Sequence, residues 1–240
     1  MVSGDEHTDV ESVWPWIEQE GLVAVSVAYR LAPAHRFPTQ VEDAYAALTW
    51  MAASADELGV DPDRIIVAGA SAGGGLAAGL GLLARDRGGP RIAGQLLLYP
   101  MLDDRCDSLS HTQVATGGTW TASSNRVAWE AYLGDDRHPP SPYAAPGRVE
   151  DLSGLPPTYV ETGSAELFRD EDVDFARRVW ACGGDAELHV WPGAFHGFDL
   201  LVPGARISRS AVAARGDWIS RLLRAIAATD GAPLPEQPHL

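Results

Sequence analysis

Ser71 sits in the pentapeptide Gly69-Ala70-Ser71-Ala72-Gly73, between the β-branched run at 64–69 and a run of small residues. This is a G-x-S-x-G pattern placed between an expected strand and an expected helix, and its spacing has a steric reason. A sharp strand-to-helix turn forces the serine into a strained backbone conformation and lifts its hydroxyl above the sheet. Side chains two residues before or after would clash across the turn, which explains glycine at both places. The next backbone N–H, that of Ala72, points into the same space and supplies one donor of an oxyanion hole. Other readings of these glycines fail on chemistry. A phosphate-binding P-loop needs a lysine after them, and Gly75 is followed by Leu76. A dinucleotide pattern at 73–78 lacks the acidic residue that should end the next strand.

A serine hydroxyl becomes a useful nucleophile when a base takes its proton and an acid orients that base. The base should lie on a loop beyond a later strand, free to reach over Ser71. His196, in Pro192-Gly193-Ala194-Phe195-His196-Gly197-Phe198, meets that requirement. His189 falls inside the preceding strand, where packing is its simpler role. His7, His35, His111, His138 and His239 fall in turns, in an insertion or in the tail. The acid should come from Glu161–Phe175, after the fourth strand. Glu166 is nearer the strand end, where the sheet would orient its carboxylate. Asp170 stands where the next helix begins and has an alternative use as an N-cap. Position favours Glu166, with Asp170 as the alternative acid. The chain order serine, acid, histidine is that of an α/β-type hydrolase triad.

The elements needed to carry these residues are legible. Segments 22–29, 64–69, 94–100, 157–163 and 186–193 read as strands. Most lack strict alternation, which suits a parallel sheet covered on both faces. Thr39-Gln40-Val41-Glu42 reads as a capping box opening a helix with Ala44, Tyr45, Leu48 and Met51 on one side. Small residues after Ser71 let the next helix lie close on the sheet. Further helices are expected at about 121–133, 171–182 and 208–228. Between the third and fourth strands a long insertion, about 103–156, reads as a partial helical cap or pocket wall. Residues 229–240 read as a flexible tail. The whole is expected to be one α/β domain over 1–240, with the sheet mostly parallel and flanked by helices.

Composition removes several classes. A formal net charge of −15 disfavours nucleic acid and anionic membranes, since both need basic surface. Residues 65–84 carry no charge, but six glycines make them a buried strand and helix rather than a membrane span. The acidic start, without an apolar core, is no signal peptide. Two isolated cysteines, Cys106 and Cys182, form no disulfide framework and suit a cytoplasmic location. No Cys/His cluster has zinc spacing, and no cofactor is called for.

Several blocks together resemble the bacterial hormone-sensitive-lipase-like family of α/β-hydrolases. They are 28–50, the elbow block at 59–78, Leu96–Arg105, 152–176 and His189–Phe198. The resemblance implies a serine carboxylesterase acting on short- to medium-chain esters through an acyl-enzyme, with Ser71, His196 and Glu166 as triad. The family's usual Asp-Pro-Leu-Arg-Asp block has its first acid at Glu166 and its second at Asp170. The resemblance also implies a His-Gly-Gly-Gly motif completing the oxyanion hole, just ahead of the text that begins here at Met1. A strand between 22–29 and the serine strand is implied as well. The expectation is an N-terminally truncated family member with an unfilled slot in its sheet. A weakly active or non-catalytic remnant, and an amidase or lactonase, remain as alternatives. Family members often pair through the last strand and final helix, which implies a homodimer.

Overall fold

The computed structural model describes residues 1–8, 10–134 and 140–230. His138, His239 and the expected tail beyond Asp230 lie outside the described residues. Four strands form the sheet: β1 (Ile66–Ala70), β2 (Gly94–Leu98), β3 (Thr158–Gly163) and β4 (Ala186–Trp191). They run parallel in the order β1-β2-β3-β4. Every residue of β2 and β3 is buried, as inner strands of a doubly covered sheet are, the polar Gln95, Thr158, Glu161 and Thr162 included.

The helices, in chain order, are α1 (Trp14–Glu20), α2 (Thr39–Ala53), α3 (Ala55–Leu58), α4 (Ala72–Arg87), α5 (Leu109–Gln113), α6 (Ala122–Leu133), α7 (Arg169–Ala181), α8 (Phe198–Leu201) and α9 (Arg206–Asp230). Successive residues of β2 face opposite layers. Leu97 joins Ala78 and Leu82 of α4 and Phe175 and Val179 of α7 on one side. Leu96 and Leu98 join Trp16 of α1 and Trp218 and Ile219 of α9 on the other. The result is a three-layer α/β/α arrangement. Helix α2 packs outside α4 through Val41, Ala44 and Leu48. No helix among the described residues is long and apolar enough to cross a membrane.

Two expectations are corrected. Segment 22–29 forms no strand, and most of it is exposed. A strand is defined by a ladder, and among the described residues this segment pairs with no strand, while β1 pairs with β2 alone. The capping box at Thr39 is also absent. Thr39 is already helical, Pro38 is the N-cap and no side chain caps the helix. Glu42 instead accepts two hydrogen bonds from Arg87 of α4, at 2.6 and 2.9 Å. A guanidinium that donates to both carboxylate oxygens outcompetes one backbone N–H.

The small residues of α4 set how near it lies to the rest of the fold. A Cβ added to Gly75 would stand 2.1 Å from the carbonyl oxygen of Met101, and one added to Gly79 2.2 Å from that of Tyr143. Both obstacles are backbone, so neither can rotate away. Gly75→Ala is expected to cost about 1–3 kcal/mol by overpacking. A urea titration would show this as a lower midpoint at unchanged slope; an unchanged midpoint would contradict the close approach.

Candidate active site

Ser71 is the turn between β1 and α4. Its backbone lies at φ 54° and ψ −119°, a region that non-glycine residues occupy only when the surroundings impose it. The imposition is visible. Ser71 N–H donates to Leu98 O at 2.9 Å, and its carbonyl accepts from Met101 N at 2.9 Å and Gly75 N at 3.0 Å. Gly69 is required for the turn, since a Cβ there would lie 2.2 Å from Gly73 O. The parallel expectation for Gly73 is not met: a Cβ at Gly73 meets nothing within 4 Å. Gly73 opens instead onto a cavity of about 800 Å³ that it lines with Ser71, Ala72, His196 and Trp120. Ala72 is the first residue of α4, so its N–H is among the donors a helix leaves free at its N-terminus.

His196 and Glu166 come from two loops that the sheet joins edge to edge. Beyond the β3–β4 ladder, Ser164 N donates to Trp191 O at 2.9 Å and Ala165 N to Ala194 O at 3.0 Å. Gly163 makes this possible, because a Cβ on it would sit 2.1 Å from Ala194 O. The pairing sets His196 Nδ1 at 3.1 and 3.2 Å from the two oxygens of Glu166. Glu166 is wholly buried and also accepts from Phe168 N at 3.1 Å. The Glu166 carboxylate makes Nδ1 the natural donor, which leaves Nε2 as the acceptor nitrogen of a ring that lines the cavity. The His196 ring packs against the edges of Tyr99 at 5.1 Å and Phe168 at 5.4 Å, with Trp120 at 6.2 Å. Thr119 Oγ1 donates to the carbonyl of His196.

The structure does not bring Asp170 to His196. Its carboxylate accepts from Ser110 N at 2.8 Å and from Arg169 Nε at 2.8 Å. Nor is it the N-cap of α7, which is Phe168. Trp120 lines the cavity, whereas Trp129 and Tyr132 are buried in the core beneath α6. His189 stacks between Tyr159 and Trp191, in keeping with a packing role. A second grouping, Cys106 with His111, is chemically quiet. Asn125 Nδ2 stands between them, donating at 3.2 Å to Cys106 Sγ and lying 3.1 Å from His111 Nε2. Burial pushes the Cys106 thiol up to about 12, so it stays protonated and inert.

With the elbow, the loop pairing and the three-layer sheet in view, similarity to known proteins decides the family. Residues 4–200 match the family model described as alpha/beta hydrolase fold. The chain belongs to the hormone-sensitive-lipase-like α/β-hydrolases. The chain is 40% identical over 178 residues to Esterase LipI of Mycobacterium tuberculosis, covering 73% of this chain and 55% of LipI. It is 39% identical over 211 residues to Carboxylesterase NlhH of the same organism, covering 85% of this chain and 64% of NlhH. The chain thus spans less than two thirds of the length of both. Among solved structures it resembles Bacterial Heroin Esterase, with a TM-score of 0.89 and 41% identity over 92% of this chain and 71% of that one.

Three groups near the site carried no motif. Tyr99, in the text after β2, has φ 37° and lies under His196. Arg215 stands on the buried side of α9 among Ala211, Trp218 and Ile219. That a charged residue occupies an otherwise apolar helix stripe was the available signal. Glu171 and Asp172 lie in the first turn of α7, behind Glu166. Burial drives both carboxyls well above the ordinary carboxylate range, and the neighbouring acids add to it. Glu171 accepts from Leu102 N at 2.8 Å and Asp103 N at 3.2 Å, fixing the loop that clamps Ser71.

The raised acid in α7 has a consequence for stability. In the folded state Asp172 keeps its proton above the pH, about 4, at which the unfolded chain releases it. The native state then binds more protons, so this group lowers stability as pH rises from about 4 to its folded pKa. Asp172→Asn removes the slope, worth up to about 1.4 kcal/mol per pH unit. Urea midpoints measured from pH 4 to 8 should therefore diverge, the variant gaining on the native protein with rising pH. Parallel curves would contradict a protonated Asp172.

Proposed function

We propose that the chain is the catalytic part of a serine carboxylesterase acting on short- to medium-chain carboxylic esters. The observation that carries this reading is a strained Ser71 that shares one cavity with His196, whose ring is bonded to the wholly buried Glu166. Its membership in a family whose similar members are named esterases supports it.

In this reading Ser71 Oγ attacks the ester carbonyl while His196 Nε2 takes its proton. Glu166 holds the Nδ1–H tautomer and stabilises the imidazolium that forms. The Ala72 N–H donates to the developing oxyanion. The tetrahedral species collapses, His196 returns the proton to the leaving alkoxide, and the alcohol departs, leaving the acyl group on Ser71. Water, deprotonated by His196, then attacks the acyl carbonyl and releases the acid with Ser71 restored. The insertion at 103–156 serves as the wall of the site, because Thr119 and Trp120 reach His196 from it. The family pattern and the edge position of β4 support a homodimer through β4 and α9.

A second reading rests on the cavity itself. It runs from Ser71 along the open edge of β1 to segment 22–29. An oxyanion hole that lacks its second donor there costs about 10²–10³ in rate, which would leave a slow or purely binding protein. The same scaffold also hosts amide and lactone hydrolysis, and competition between ester and amide substrates separates those reactions.

Hydrolysis of p-nitrophenyl butyrate by the 240-residue chain is the primary test. Ser71→Ala should abolish it, and Glu166→Gln should lower kcat by about 10²–10⁴. Asp170→Asn should leave kcat within a few-fold of native. Turnover that survives Ser71→Ala, or that depends on Asp170 more than on Glu166, would overturn the assignment.

A further inference from the structure

Behind His196 lies a charged cluster that the mechanism above does not use. Arg215 of α9 is wholly buried, and so is Glu161 of β3; Asp199 of α8 is nearly so. Arg215 Nη1 lies 2.7 Å from Asp199 Oδ2, and its Nε donates to Glu161 Oε1 at 3.0 Å, with Nη2 on the same oxygen. Two hydroxyls and an indole complete the arrangement. Tyr99 Oη donates to Asp199 Oδ1 at 2.9 Å. Tyr159 Oη and Trp191 Nε1 donate to Glu161 Oε2 at 2.9 and 3.2 Å. One cation thus holds two carboxylates, with neutral donors satisfying the remaining oxygens.

A wholly buried ion group is weak evidence for stability, because desolvation offsets most of the attraction. Its placement is more informative. Asp199 is three residues beyond His196, in the short helix that ends the histidine loop. Tyr99, bonded to Asp199, supports the His196 ring with its own and donates its N–H to Glu161 O at 2.6 Å. Tyr99 also follows Leu98, whose carbonyl holds Ser71 N–H. Through two bonds, therefore, Arg215 reaches the end of β2, which holds the Ser71 turn, and through one it reaches the short helix that ends the His196 loop.

We propose that Arg215 is a positioning residue: by clamping Asp199 and Glu161 it fixes the His196 ring relative to Ser71. The role rests on the esterase reading for its kinetic consequence but not for its geometry. Arg215→Met removes the cation while keeping most of the apolar bulk. Misplacing a catalytic group by about 1 Å costs up to about 10² in rate, so kcat for p-nitrophenyl butyrate should fall about 10- to 100-fold with KM nearly unchanged. Arg215→Lys keeps the charge without the fork and should recover part of the loss. Tyr99→Phe is the gentler variant if Arg215→Met does not fold: it deletes one donor to Asp199, keeps the ring under His196, and should lower kcat by several-fold.

The geometry is read without turnover from the Nδ1 proton of His196 in the NMR spectrum, identified by its loss in His196→Gln. It should broaden or shift in folded Arg215→Met and in Tyr99→Phe. An unchanged Nδ1 resonance in a folded variant, or a kcat loss fully accounted for by unfolded protein in a thermal melt, would overturn the positioning role. If the native chain neither turns over ester nor is labelled at Ser71 by a fluorophosphonate, the esterase reading fails, and the resonance still decides the role of Arg215.

Discussion

The close contact between the start of α4 and the loop after β2 is the constraint on which the site depends. Ser71 is held by three backbone bonds, to Leu98, Met101 and Gly75. The Met101 carbonyl fills the space that a side chain at Gly75 would need. A serine at φ 54° is strained by itself, and a strain of this kind persists only where neighbours over-determine the backbone. Here the neighbours are main-chain atoms, which have no rotamers to change. Glu171 reinforces the same loop by accepting from Leu102 and Asp103. The backbone conformation of Ser71 is thus set by its contacts with main-chain atoms of the loop after β2 and of α4.

Glu166 and His196 rely on a different device. Their loops continue the β3–β4 pairing past the end of the sheet, and Gly163 allows them to touch. The ladder brings residues 30 positions apart into hydrogen-bonding distance. Parallel strands make this natural, since both chains leave the sheet at the same end and their loops meet there.

Sequence carried the local parts of this design well. The serine turn, the four strands and the apolar sides of α2 and α9 follow from spacing and periodicity, which depend on near neighbours in the chain. Distance from the strand end favours Glu166 over Asp170, and of these two carboxylates Glu166 is bonded to His196 and Asp170 to Ser110. What depends on distant partners was not legible. Segment 22–29 has strand composition, yet a strand requires a neighbour, and composition does not supply one. Glu42 looked like a capping residue until Arg87, 45 positions away, offered two donors. Gly73 matched the motif for a reason other than the one its spacing suggests. Arg215 is visible only as a charge on an apolar stripe; its two acidic partners come from β3 and α8, 54 and 16 positions away in the chain.

The emptiness beside Gly73 bears on how this fold changes its chemistry over time. Most positions around the serine are locked against backbone, so a mutation there disturbs the nucleophile before it alters what the site can hold. Gly73 is different: its missing side chain borders the cavity and touches nothing. A methyl or larger group could be added at that point without strain and would take its volume from the space next to Ser71. The second glycine of the motif is therefore a free variable of the design, a place where selection or an engineer can reshape the reactant chamber while the turn that makes the nucleophile stays as it is.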